Sequence, residues 1–412
     1  MGIIERAEAF VEGLRELATR DRWGWRRCPR CGSSETICNG HYERHPYTFG
    51  GREQVAIQRH VCRGCGRSYS ERVVWLAERR RYSREVQRLS LDLWLHFGSS
   101  LRRSAELVRS LLGHQERFLI WQPTATARPA DECHLSPSTI GRWLDRAGKE
   151  AEETLVGQLL GGKVQAVAAD GLWARLRGGG KRVVLMIVDS ASGLVFPPLV
   201  AKGEQSEGPW ARLFARAESA GLDLDELRGV TSDWTGGLVS YLRRFLPHPH
   251  HQRCLWHFHR APLRRLLGAL DEDVREAVSG LVRSLMSATS YAAAELALVA
   301  LAVHPAASEL AREINEQFDH LFVHLLPHYR GLTPVSPEWC WRDYRLRLSR
   351  GRNHGSEKRL ECASLLWAIY HNFTPTQRRC ERKRHYRHPG KSPLEVVGLS
   401  PGNLSYLDAL AV

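Results

Sequence analysis

Gly229-Val230-Thr231-Ser232-Asp233-Trp234-Thr235-Gly236-Gly237-Leu238 carries the decisive pattern of the chain. A β-branched run ends on an aspartate, and two glycines then open a segment with helical spacing as far as Phe245. Strand, carboxylate, tight turn and helix follow in that order. Upstream, Val164 to Ala169 forms a second strand-like run that ends on Asp170 and leads into Gly171. Carboxylates at the ends of neighbouring strands can meet. Two of them with a third acid can hold two divalent ions, one beside the attacking and one beside the leaving oxygen of a phosphodiester. An isolated aspartate at such a position serves equally as a turn or cap residue.

Around this pair, Val183 to Val188 and Leu194 to Val200 read as strands separated by glycine-rich turns. Pro209 to Ala220 reads as a helix, Leu227 to Ser232 as a strand, Gly236 to Phe245 as a helix, and His251 to Cys254 as a short strand entering another helix. Hairpin-linked strands followed by alternating helix and strand predict a mixed α/β sheet with helices on its faces. From His259 to about Tyr329 the pattern is helical and rich in Ala and Leu, as for an all-α insertion. Gly178-Gly179-Gly180-Lys181 lacks the spacing and the following Ser or Thr of a phosphate-binding loop, so a hairpin turn explains it. Asp189, before Ser190-Ala191-Ser192-Gly193, has the position of a turn residue.

The front of the chain has a different chemistry. Ile3 to Leu17 places apolar residues on one helical face, a short lead helix. Cys28-x-x-Cys31 and Cys62-x-x-Cys65 then give two thiolate pairs, each able to form a knuckle that delivers two sulfurs to one Zn²⁺; Cys38 and His41 are possible substitutes for one ligand. Ten cysteines in 412 residues are too few for a disulfide scaffold. Helical patterns cover Ser83 to Phe97 and Leu101 to Leu112. In Leu135-Ser136-Pro137-Ser138-Thr139-Ile140-Gly141-Arg142-Trp143-Leu144, Ser136 is placed as N-cap and Pro137 in the first turn. If this is the recognition helix of a helix-turn-helix, Ile140, Trp143 and Leu144 pack inward while Ser138, Thr139 and Arg142 face a DNA groove. A simply capped surface helix has the same pattern.

Lys and Arg number 59 against 45 Asp and Glu, a formal charge of +14. That excess points to an acidic partner, and nucleic acid is the first candidate because phosphate neutralisation releases counterions. A membrane is disfavoured: no run approaches the ~18 apolar residues of a spanning helix, and Glu5 and Glu8 do not suit a secretory leader. The expectation is a cytoplasmic protein, associated with the nucleoid through DNA. Arg378 to Arg387 is a basic arm or a DNA contact.

Thr231 to Leu238, followed by Phe245-Leu246-Pro247 and Gln252-Arg253-Cys254-Leu255-Trp256-His257-Phe258-His259-Arg260, closely resembles the second-aspartate block of mutator-type (MULE-like) DDE transposases, including their Cys-x-x-His signature at Cys254 and His257. Ala168 to Trp173, Gly178, Gly193 and Glu204 through Glu207 to Trp210 resemble the first-aspartate block. Arg350 to Arg359 looks like the third-acid block, which makes Glu357 the matching acid, with Glu361 one helical turn later as runner-up; Asn353 lies four residues before Glu357 where the family has three. The resemblance implies an RNase H-like catalytic domain with Asp170, Asp233 and Glu357 holding Mg²⁺ or Mn²⁺, and a role for Cys254 and His257 in ligation or in positioning Asp233. Trp339 and Trp341 would be core aromatics or stack on an unpaired base.

The expected protein is therefore multidomain. A lead helix and zinc ribbon occupy 1–75 and an all-α helix-turn-helix region 76–160. An α/β RNase H-like domain spans 161–412, interrupted by an all-α insertion at about 259–345. The implied activity is cleavage of element ends and strand transfer into target DNA, performed by a homodimer or larger assembly on DNA. A domesticated DNA-binding regulator and an RNase H-like nuclease without joining activity are the alternatives.

Overall fold

The computed structural model describes residues 27–49, 51–71, 73, 75–76, 81–113, 135–156, 164–329, 332, 338–346, 354–375, 388, 390–399 and 405–410. The lead helix at 3–17 and the basic segment at 378–387 lie outside them. Contacts divide the chain into two compact units, Met1–Ala151 with Arg345–Arg352 and Pro401–Val412, and Glu152–Tyr344 with Asn353–Ser400.

In the first unit, β1 (Thr36–Arg44), β4 (Val55–Cys62) and β5 (Ser68–Ser70) form an antiparallel sheet in the order β1-β4-β5, and β2 (Tyr47–Thr48) pairs with β3 (Gly51–Arg52). Nearly every residue of β1 is exposed or half-exposed. So thin a sheet has little apolar surface to bury, and its turns carry the cysteines. Helices α1 (Arg84–Leu95), α2 (Leu101–Gly113) and α3 (Pro137–Val156) follow. Ser83 caps α1 through the amide of Val86, and Val86, Leu91 and Leu95 at helical spacing are fully buried. Tyr82 stacks on Tyr47 at 5.4 Å and meets Trp143 of α3 edge-on at 5.5 Å.

The second unit is built on a five-stranded sheet of order β10-β9-β6-β7-β8, with β6 at Ala166–Arg175, β7 at Lys181–Asp189, β8 at Leu199–Ala201, β9 at Gly229–Ser232 and β10 at His250–Arg253. The three hairpin-linked strands pair antiparallel, whereas β9 runs parallel to both β6 and β10. Helix α4 (Glu207–Ser219) precedes β9, and α5 (Gly236–Phe245) connects β9 to β10 as the crossover that a parallel pair requires. The run Val183 to Val188 is buried throughout, as expected of a strand covered on both faces. Two strands differ from the sequence expectation. β6 continues through Asp170 to Arg175, because its antiparallel partner extends that far, and β8 is only Leu199–Ala201 because Pro197 and Pro198 withhold ladder donors.

After β10 come α6 (Leu255–Phe258), a π-turn at His259–Leu263 and a helical block containing Glu272–Met286, Tyr291–Val303 and Ser308–Asn315. These pack around Val278, Val282, Leu285, Leu301, Leu310 and Ile314. Among the described residues no single helix is long and apolar enough to cross a membrane; the one apolar pair, Tyr291–Val303 with Pro305–Asn315, is bent by 108°. Helix α7 (Glu357–Phe373) returns to the sheet and is buried along nearly its whole length. Its end is pinned by Asn372, whose Oδ1 accepts from the Val195 amide at 2.8 Å and whose Nδ2 donates to the Val195 carbonyl at 2.9 Å. Asn372 is fully buried. Asn372→Ala leaves both Val195 groups without their side-chain partner and should cost roughly 2–4 kcal/mol, read as an earlier urea transition of this unit.

Candidate active site and metal centre

The ladder between β6 and β9 sets the position of the two aspartates. Ala169 pairs with Ser232 in parallel register, on strands that lie about 4.8 Å apart, so the next residues are Asp170, within β6, and Asp233, just past the end of β9. Asp170 is 3% exposed. Its Oδ1 accepts from the Gly171 amide at 2.8 Å and its Oδ2 from Trp341 Nε1 at 3.1 Å. Trp341 is itself fully buried, so it is a core aromatic that orients the first aspartate. The side chain of Trp339 lies outside the described residues.

Asp233 ends its strand with a sharp turn. Trp234 has φ of 74°, the left-handed region that a bulky side chain rarely adopts. Neighbours hold it there: its ring stacks on His251 at 4.3 Å and packs on His320 at 4.7 Å, with the Arg253 guanidinium 5.8 Å from its centre. His251 Nε2 bonds Ser232 Oγ at 2.6 Å, and Ser232 Oγ also accepts from the Trp234 amide. Burial, with the neighbouring charges of His320 and Arg243, lowers the His251 pKa to about 3, so this clamp works with a neutral imidazole. Asp233 Oδ1 accepts from the amide and the hydroxyl of Thr235 at 3.1 and 2.5 Å. The carboxylate is thereby fixed at the start of α5.

A further acid, Glu204, lies against Gly171 and close enough to Asp233 to feel its charge, and was not singled out as a site residue by the sequence. It is 7% exposed. Its Oε1 accepts from Trp173 Nε1 at 2.8 Å, and its carbonyl accepts from the buried Trp210 Nε1 at 2.8 Å. Burial raises its pKa; the bond from Trp173 opposes this and the charge of Asp233 adds to it. A Cβ on Gly171 would collide with Glu204 Oε2, and one on Gly237 would collide with its carbonyl. The legible signal was a glycine directly after one aspartate and a glycine pair after the other, where a close approach forbids a side chain.

Glu357 begins α7 behind its N-cap Ser356, and its carboxylate is paired with Arg182 Nε at 2.5 Å. Arg182 faces Ala174, on the same side of β6 as Asp170 but four residues further along, about 13 Å. The structure thus sets Asp170 and Asp233 at neighbouring backbone positions and pairs Glu357 with Arg182. Glu361 is paired with Arg216 at 2.9 Å, and the same arginine also pairs with Glu152. Cys254 is buried at the N-cap of α6, and its amide donates to the Ser232 carbonyl at 2.7 Å, one residue from Asp233. His257 sits within α6 against Trp256, 4.7 Å between rings.

Residues 130–333 match the family described as Transposase, Mutator family. The chain carries a Mutator-family transposase domain. No curated protein matches the sequence. The family supports a transposase role and, with it, binding to DNA.

In front of this transposase domain, the Sγ atoms of Cys28, Cys31, Cys62 and Cys65 all lie within 4.8 Å of one another. Cys28 and Cys65 are 3.6 Å apart and Cys31 and Cys62 are 3.5 Å apart, close to the ~3.8 Å edge of a zinc–thiolate tetrahedron with bonds of about 2.3 Å. The knuckles close through Gly32 N to Cys28 O and Gly66 N to Cys62 O, with φ of 72° and 70° at the two glycines. Backbone hydrogen bonds from Cys31 and Arg30 lower the Cys28 pKa to about 6, whereas for Cys31 the lowering by the Ser33 amide is outweighed by the neighbouring thiols and burial, which push it up to about 12, so the four sulfurs share their protons unequally. This group can hold zinc. On α3, Ser136 caps through the Thr139 amide at 3.1 Å. Ile140, Trp143 and Leu144 are buried, Ser138 and Arg142 are exposed and Thr139 is half-exposed. The purified chain should contain zinc in an amount equal to the protein by elemental analysis, and Cys62→Ser should abolish it together with the order of β1 and β4 in amide exchange. Full zinc content in Cys62→Ser would remove this thiol from the ligand set.

Proposed function

We propose that this transposase cuts element ends and joins them to target DNA at a site built on Asp170 and Asp233. The observation that carries the reading is the parallel pairing of Ala169 with Ser232, which makes Asp170 and Asp233 the next residues on two neighbouring chain segments. The two aspartates offer oxygen ligands only, a donor set that fits a hard cation such as Mg²⁺ or Mn²⁺. Bound there, such a cation neutralises developing charge on a phosphodiester and lowers the pKa of water. Glu357 is the proposed third acid. Its partner Arg182 lies on the same face of the sheet as Asp170, Glu357 itself stands in the first turn of a rigid helix, and its use requires release from Arg182. The mixed sheet, with three antiparallel strands continued by two parallel ones, supports an RNase H-like fold.

The chain's own groups do the positioning. Trp341 and the Gly171 amide fix the Asp170 carboxylate, and Thr235 fixes that of Asp233. Arg253, close to Asp233, supplies positive charge for a phosphate. Water displaces the 3′-oxygen at the element end, and the released 3′-hydroxyl then attacks a target phosphate in line, forming one P–O bond as another breaks. The four-cysteine ribbon and α3, with Ser138, Thr139 and Arg142 toward the groove, recognise the terminal repeats. Joining two ends calls for a dimer or larger assembly, working in the cytoplasm on the nucleoid.

Strand transfer should be assayed with purified chain, its flanking DNA ends, a plasmid target and Mg²⁺. Metal-dependent joining is expected. Asp170→Asn and Asp233→Asn should each lower it by at least ~10³-fold, the scale of losing a preorganised electrostatic group, while end binding stays within about twofold. Joining retained in either variant would contradict the assignment. End binding without cleavage by the parent would indicate a regulator, and cutting without joining a nuclease.

A further inference from the structure

Glu204 is the acid whose burial the fold does not repay locally. Its Oε2 is buried and has no hydrogen-bond partner among the described residues, although Oε1 is satisfied by Trp173. An ionised oxygen left in this way costs free energy unless something charged completes it. Nor is its place incidental. Oε2 rests against Gly171, the residue after Asp170, and the backbone of Glu204 to Ser206 rests against Gly237, four residues after Asp233. Any side chain at either glycine would expel it. The backbone is further held by Trp210, so two tryptophans and two glycines cooperate to bring one carboxylate to the aspartate pair.

We propose that Glu204 is a ligand of the divalent cation that Asp233 and Asp170 hold, making the centre one of three carboxylates before Glu357 joins it. The inference rests on the reading of Asp170 and Asp233 as metal-binding. The three carboxylates do not gather within 4.8 Å as the four thiolates do, which is expected of like charges with no cation between them. Oε2 has no hydrogen bond to break on meeting a cation, and the Trp173 bond holds only Oε1.

The test is Mn²⁺ binding to the full-length protein, followed by loss of the free-ion electron paramagnetic resonance signal. Glu204→Gln keeps the shape and an acceptor for Trp173, and should weaken Mn²⁺ at the aspartate site by at least tenfold while leaving near-ultraviolet circular dichroism and metal-free melting unchanged or slightly improved. Glu204→Asp, which keeps the charge but withdraws it from Gly171, should weaken binding by a smaller factor. Parental Mn²⁺ affinity in folded Glu204→Gln would overturn the proposal. Asp233→Asn separates the two layers. If it abolishes binding while Glu204→Gln does not, only the role of Glu204 fails; if neither variant alters binding, the aspartate centre itself fails.

Discussion

The register of one parallel strand pair governs the site. Val167, Ala168 and Ala169 face Val230, Thr231 and Ser232, and a slip by one residue would turn Asp170 and Asp233 to different depths and opposite faces. Such a slip is opposed from both sides. β6 is also locked antiparallel to β7 over nine consecutive pairs, Val167 with Asp189 through Arg175 with Lys181, and the run Val183 to Val188 of β7 is apolar and buried, with no exposed face to trade. β9 is held in turn by β10, whose Arg253 pairs with Ser232. Asp170 and Asp233 are therefore placed at neighbouring backbone positions by hydrogen bonds and apolar burial remote from them.

The polar groups around the pair divide into those that aim it and those left waiting. Trp341, Thr235 and the Trp234–His251 stack fix direction. Glu204 is buried with one unsatisfied oxygen, whereas Glu357 is paired with Arg182 on an accessible helix end. An arginine–carboxylate pair that is half-exposed is weak enough to exchange for a stronger charge.

Much of this was legible in the residues. Asp233 before Gly236-Gly237 marked a strand end and turn, and the paired Cys-x-x-Cys spacing marked the four-thiol cluster, whereas Asp170, read as a strand end, lies inside β6. Ser136 and Pro137 marked the start of α3. The continuation of β6 beyond Asp170 was hidden because Gly171, Leu172 and Trp173 break the apolar alternation, and only the partner strand keeps them extended. Glu204 was hidden for a related reason: an acid in a polar stretch, Lys202 to Glu207, looks like solvated loop, and its burial depends on two tryptophans and two glycines outside that stretch. The Arg182 to Glu357 pair links positions 182 and 357, a tertiary contact that no local pattern encodes.

Iron-directed cleavage of the protein backbone tests the central claim most directly. Fe²⁺ occupying a carboxylate site generates hydroxyl radicals with ascorbate and peroxide, and the cut positions, read by mass spectrometry, report which residues surround the ion. The account predicts cuts clustered around Asp170 and Asp233, suppressed by excess Mg²⁺ and absent from a variant lacking both aspartates. Cuts elsewhere in the domain, or unchanged cuts in that variant, would contradict it.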